Sequence, residues 1–137
     1  MTTISGYIDY NNQGAFSNFT SLKSISIPDT VTKIGRNAFV NCTSLISVTF
    51  SDGVTVIPGG IFGDCPSLTN VKIPNGVTEI GDRAFQGCIS LANITIPNSV
   101  TEIGVYAFLG CRSLSEETRR KIMSINPGIV PESFSWE

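Results

Sequence analysis

The sequence predicts a single α/β solenoid, and three observations carry that reading. A block of 23 residues recurs four times in register, over 19–41, 42–64, 65–87 and 88–110, with the start of a fifth at 111. The apolar positions of those blocks agree column by column, and after Leu114 the repeat gives way to the pattern of a helix. Self-similarity at a fixed period of this length is the signature of stacked supersecondary units. The chain therefore divides into an N-terminal cap with a degenerate repeat (1–18), the repeats (19–114), and a C-terminal cap helix and tail (115–137).

Each column states a physical requirement. Leu22, Leu45, Leu68, Leu91 and Leu114 make one ladder, and Phe16, Phe39, Phe62, Phe85 and Phe108 another. Ile25, Val48, Val71 and Ile94 make a third, and Ile34, Ile57, Ile80 and Ile103 a fourth. One rung cannot bury enough apolar surface to offset the entropy of ordering 23 residues. Stacking solves this by covering both faces of each rung and pairing its backbone with its neighbours.

Within a rung, Asn70-Val71-Lys72-Ile73 alternates polar and apolar, which predicts a short strand with one buried face. Pro74 ends it, because proline has no N–H for the ladder. Pro74-Asn75-Gly76, with Pro28-Asp29, Ser51-Asp52-Gly53 and Pro97-Asn98 in the same place, predicts a β-turn. The spacing of Ile80 to Ala84-Phe85 predicts one helical or 3₁₀ turn that drops the phenylalanine inward. Asn18, Asn41, Asp64, Gly87 and Gly110 end that turn, all residue types that tolerate the left-handed region.

The pattern Cys-x-Ser-Leu-x-x-Val-x-Ile-Pro-x-x-Val-Thr-x-Ile-Gly-x-x-Ala-Phe, met at Cys65–Phe85 and Cys88–Phe108, resembles the BspA-type leucine-rich repeat. It departs at Phe19, where other rungs have Cys, and at Pro58-Gly59-Gly60-Ile61, where Gly-x-x-Ala is expected. The resemblance covers about residues 15 to 114. It implies a leucine-rich-repeat-like right-handed stack of four to five rungs with a parallel sheet on one side and a C-terminal capping helix. It also implies bacterial or protist surface proteins of adhesin type that attach to host or neighbouring-cell proteins, and no enzyme activity.

At the amino end, Ala15-Phe16-Ser17-Asn18 matches Ala38-Phe39-Val40-Asn41, while Tyr7, Ile8 and Tyr10 precede a polar turn at Asn11 to Gly14. An end rung needs a more polar outer face, so this segment reads as a cap, with an aromatic contact patch at Tyr7 and Tyr10 as the alternative. At the other end, Ser113 to Lys121 places hydroxyls before acids and acids before bases, as helix termini favour. Ile122 and Ile125 supply an apolar face and Asn126-Pro127-Gly128 a stop, so a helix is expected over 116–125. Arg119, Arg120 and Lys121, balanced by Glu116 and Glu117, read as a solvated helix face. Ile129-Val130-Pro131 and Phe134-Ser135-Trp136 read as a tail folded back on the cap.

A chain of 137 residues with 41% hydrophobic content suffices for one domain with a substantial core. A net charge of −2 and a pI near 5.0 give no electrostatic reason to expect nucleic acid. No apolar run reaches membrane-spanning length, so no membrane insertion is expected. Met1-Thr2-Thr3-Ile4 lacks the regions of a signal peptide. The expected compartment is the cytoplasm for a full-length chain, and the cell surface or exterior for a mature fragment of the kind the resemblance implies.

The absence of histidine removes Ser-His-Asp and Cys-His chemistry and most zinc sites. Cys42, Cys65, Cys88 and Cys111 fall one rung apart, in a line at roughly the ~4.8 Å strand spacing rather than a tetrahedron. They read as buried free thiols, with no metal or cofactor. Glu79 and Glu102 stack on the second extended segment, and Asp29 and Asp52 in the turns, where a solenoid flank offers neither a sugar-enclosing cleft nor calcium's oxygen count.

The strand face remains. Its outward residues are Ser24, Ser26, Ser47, Thr49, Asn70, Lys72, Asn93 and Thr95, a strip of hydroxyls and amides with one cation. They form the candidate binding face of a non-enzymatic protein–protein interaction module, monomeric or weakly self-associating. The alternative is a structural spacer or intracellular assembly element with no specific ligand face.

Overall fold

The computed structural model describes residues 2–3, 16–31 and 33–127. Tyr7, Tyr10, the turn at Asn11 to Gly14, and the tail from Gly128 onward lie outside the described residues. The strands are β1 (Thr2–Thr3), β2 (Ser24–Ser26), β3 (Ser47–Thr49), β4 (Val56–Ile57), β5 (Asn70–Lys72), β6 (Glu79–Ile80), β7 (Asn93–Thr95) and β8 (Glu102–Ile103), and the helix is α1 (Glu116–Ile125). Among the described residues they form a five-stranded parallel sheet in the order β1-β2-β3-β5-β7 and a three-stranded parallel sheet in the order β4-β6-β8.

Register is one 23-residue period everywhere. Ile25 pairs with Val48, Val48 with Val71, and Val71 with Ile94, while Ile57 pairs with Ile80 and Ile80 with Ile103. Thr2 pairs with Ile25, so the period runs on into the segment expected to be a cap. The β-turns between the two sheets are closed by Val31, Val54, Val77 and Val100, whose N–H groups donate to the carbonyls of Pro28, Ser51, Pro74 and Pro97. Ser51 replaces the proline of the other rungs and is buried, its hydroxyl donating to the Val31 carbonyl at 3.3 Å.

The segment expected to form a helical turn does not. Its residues form successive tight turns, and their N–H groups alternate in direction. Ala84, Gln86 and Cys88 donate locally to Gly81, Arg83 and Phe85, whereas Arg83, Phe85 and Gly87 donate to Val105, Ala107 and Leu109 of the next rung. A helical turn would spend all of these donors internally and leave the rungs unpaired on this side. Such alternation needs two left-handed residues per rung. One column was expected, and Asn18, Asn41, Asp64, Gly87 and Gly110 have φ of 64°, 63°, 56°, 80° and 80°. The other is Asn37, Gly60, Arg83 and Tyr106, at 59°, 67°, 59° and 58°. Gly60 therefore accounts for the departure at Pro58-Gly59-Gly60-Ile61: it is the residue best suited to that φ.

The ladders meet in one core. Phe39, Phe62, Phe85 and Phe108 are fully buried, with stacked ring centroids 5.3 to 5.7 Å apart. Phe16 continues the stack at 5.4 Å from Phe39, half-buried, and Phe19 meets it edge-on at 5.7 Å. The four cysteines are free and buried. Cys65, Cys88 and Cys111 donate to the carbonyls of Phe39, Phe62 and Phe85 at 3.3, 3.1 and 3.0 Å, so each thiol satisfies a buried oxygen of the preceding rung. Burial pushes the Cys88 thiol up to about 12 and holds Cys111 well above its ordinary value. The Cys42–Cys65 contact, followed by burial, raises Cys65, and the same contact lowers Cys42.

The helix spans the residues expected of it. Ser115 caps it by accepting from the Thr118 N–H at 3.1 Å, and Glu116 and Glu117 fill the first turn. Ile122 is buried and Ile125 packs against the core. The helix also keeps the 23-residue offset: the Lys121 ammonium reaches Asn98 Oδ1 at 2.6 Å and the Asn126 amide donates to the Ile103 carbonyl at 2.8 Å. Thus α1 stands where the strand and turn of a further rung would stand, and covers the open side of the last one.

Two predictions follow from this packing. Phe62, stacked on both sides and met edge-on by Phe50 at 5.9 Å, should cost about 3–5 kcal/mol when replaced by alanine, since neighbours held by the ladder cannot collapse into the cavity. Phe16→Ala, half-exposed and stacked on one side, should cost clearly less in the same urea titration. The second concerns pH. A thiol with an ordinary value of 9.0 when unfolded and about 12 when folded retains its proton in the native state over that interval. Its stabilisation is complete below pH 9.0 and is lost on the way to 12, with a slope of about 1.4 kcal/mol per pH unit. Lysine and tyrosine titrate in the same window, so the measurement is the difference between wild type and Cys88→Ala, whose stability should fall less steeply above pH 9.0.

Candidate functional site

Parallel pairing in register makes every outward side chain of the long sheet the neighbour of its counterpart one rung away. One row is Ser24, Ser47, Asn70 and Asn93, and the other Ser26, Thr49, Lys72 and Thr95. Ser24, Ser26 and Ser47 are half-buried, and the other five are exposed. The hydroxyls of Ser24 and Ser47 are 3.3 Å apart, and the Asn70 amide donates to Thr69 Oγ1 at 3.0 Å. The face is thus a grid of hydroxyl and amide groups on a rigid backbone ladder, able to donate and accept hydrogen bonds at the strand spacing of ~4.8 Å.

Helix α1 makes one end of this face different from the other. An open groove of about 1070 Å³ runs between the β5–β7 strands and the helix. Its sheet side presents Lys72, Asn93 and Thr95, and its helix side Glu117, Arg120 and Lys121. Of the eight candidate residues, the structure brings these three together; Asn70 and the four residues of β2 and β3 lie outside the groove.

The helix contribution is what the sequence reading missed. Arg120 and Lys121 read as a solvated helix face because their charge balances locally, and Arg120 does pair with Glu116 at 2.7 Å in an exposed contact worth little. The overlooked signal was spacing: Lys121 lies one period after Asn98, the residue it bonds. That bond holds one cation at the Asn98 turn, on the groove that Lys72 also lines. The groove therefore combines Lys72, Arg120 and Lys121 with one acid, Glu117, that has no ion-pair partner among the described residues, amid hydroxyls and amides. Groups of this kind can hold and orient a polar partner by hydrogen bonds and charge.

The BspA type leucine-rich repeat region model matches residues 2–127 in six copies. A leucine-rich cell surface protein of Faecalibacterium prausnitzii is 39% identical, with 83% of this chain and 30% of that one covered and a TM-score of 0.78. A leucine-rich repeat protein of Eubacterium ventriosum is 35% identical over 74% of this chain and 28% of that one, with a TM-score of 0.69. A leucine-rich repeat protein of Bacteroides ovatus is 28% identical over 97% and 40%, with a TM-score of 0.59. This chain spans less than half the length of each of these relatives. No curated protein matches it. The repeat columns, the two parallel ladders and the family match over 2–127 together make the chain a member of the BspA-type leucine-rich repeat family.

Proposed function

We propose that the chain is a non-enzymatic protein-binding module of a cell-surface leucine-rich repeat protein, and that its partner lands in the groove between β5–β7 and α1. The observation that carries this is the wall that α1 raises beside Lys72, Asn93 and Thr95. A flat polar strip offers a partner little to grip, whereas a walled groove of the same residues adds a second side and two further cations. The surface location is supported by the Faecalibacterium prausnitzii relative, itself described as a cell surface protein. The groove's excess of positive charge favours a partner segment that carries carboxylates among polar residues.

Capture of partners from the native setting, followed by titration of the captured protein, tests the reading. Lys72→Glu should weaken binding at least tenfold, or about 1.4 kcal/mol, and more at low salt. Arg83→Glu is the control, because Arg83 lies on the turn side with its guanidinium 5.1 Å from the Tyr106 ring centroid. If Arg83→Glu abolishes binding and Lys72→Glu leaves it intact, the partner uses the turn side. If no partner is captured and neither change alters behaviour, the chain is a spacer between other parts of its protein.

A further inference from the structure

The short sheet β4-β6-β8 has an outer face that the binding module does not use, and its charges are separated by sign along the stack. Val56, Glu79 and Glu102 stand in register in one column, with Lys33 one period before Val56. Three residues further on, Arg36, Gly59 and Asp82 form a second column. The first rung of this face is thus cationic in both columns, and the third is anionic in both. Between them lies Val56, 43% exposed, beside a glycine. All of these residues line one open groove of about 740 Å³.

Among the described residues none of these charges meets an opposite charge. Arg120 and Glu116 form an ion pair on α1, whereas Lys33, Arg36, Glu79, Asp82 and Glu102 have no opposite charge in contact among the described residues. Asp82 accepts a hydrogen bond from the Val105 N–H, and Glu79 faces Glu102 directly across the ladder. Like charges in directly opposed positions destabilise a sheet. A face that keeps its cations at one end and stacked carboxylates at the other is uncompensated alone, but it is complementary to itself when reversed.

We propose that this face pairs with the same face of a second copy of the chain, about a two-fold axis running along the strands of the Val56 rung. Such an axis reverses the rung order and keeps position along the strand. Lys33 then meets Glu79 of the other copy, Arg36 meets Asp82, and Val56 meets Val56 at the centre. The interface is isologous, so every contact occurs twice. At the axis the Arg36 guanidinium lies over Gly59, 3.2 Å from where a Cβ would stand, so the Val56 side chains make the central contact, and the groove receives the long Lys33 side chain of the other copy beside Glu79 and Glu102. The face is only a few short rungs wide, small beside a standard specific interface, so the dimer is weak and salt-sensitive.

Sedimentation velocity on the full chain tests this directly. Wild type should show a concentration-dependent monomer–dimer equilibrium at low ionic strength that shifts to monomer as salt is raised. Lys33→Glu and Glu79→Lys should each weaken self-association about tenfold or more, because each sets like charges at both symmetric contacts. An equimolar mixture of the two should associate again, as should the double variant Lys33→Glu/Glu79→Lys, since both contacts then carry opposite charges. Wild type that stays monomeric at low salt up to millimolar concentration overturns the proposal. So does unchanged dimerisation of the single variants, or failure of both the mixture and the double variant to recover when circular dichroism shows them folded. Binding of a partner in the groove beside α1 is unaffected by either result.

Discussion

Backbone pairing between successive rungs is the constraint on which everything else in this molecule depends. It runs along three sides of the stack: the long sheet, the short sheet, and the turn side, where Arg83, Phe85 and Gly87 donate to Val105, Ala107 and Leu109. Parallel pairing at a fixed period sets each residue beside its own counterpart. Every column must then hold a side chain that packs well against another of its kind. Phenylalanine does so by stacking, branched aliphatics by interdigitation, and cysteine by donating its thiol to the phenylalanine carbonyl of the preceding rung.

The same constraint sets conditions on the backbone. Gly81 and Gly104 follow the inward isoleucines where rungs approach most closely, and a Cβ at Gly81 would lie 2.5 Å from the Gly59 nitrogen. Arg83 and Tyr106 both hold a left-handed φ, and in that column Asn37, Gly60 and Arg83 donate their N–H groups to Gly59, Asp82 and Val105 of the neighbouring rung. Local strain at a non-glycine residue persists where the surrounding ladder over-determines the conformation. The cation–π contact of Arg83 with Tyr106 lies along that strained column and joins two such residues.

A ladder that forces like beside like is favourable for apolar columns and unfavourable for charged ones. On the long sheet the outward rows are almost uncharged, and Lys72 has threonines on both sides, Thr49 and Thr95. The short sheet carries the opposite arrangement, with Glu79 against Glu102. The two faces are therefore suited to different tasks. One is a neutral grid to which α1 adds cations at the C-terminal end; the other is a bipolar stripe whose charges meet no opposite charge among the described residues.

The sequence by itself determined the period, the inward columns, the β-turns, the first left-handed column and the limits of α1. Each of these is a one-rung property that repetition writes out several times, as in Phe39, Phe62, Phe85 and Phe108. Tertiary structure alone decided what arises between rungs. The second left-handed column was hidden because Arg83 and Tyr106 are not residue types that announce such a φ; it arises where Arg83 donates to Val105 of the next rung. Strand β1 was hidden because Thr2 stands in the column where Ile25, Val48, Val71 and Ile94 are apolar, and the sheet edge at β2 supplies the pairing instead. The groove was hidden for the same kind of reason: Lys121 sits on a helix and Lys72 on a strand, and they come together only because α1 takes the place of a further rung beside the last one.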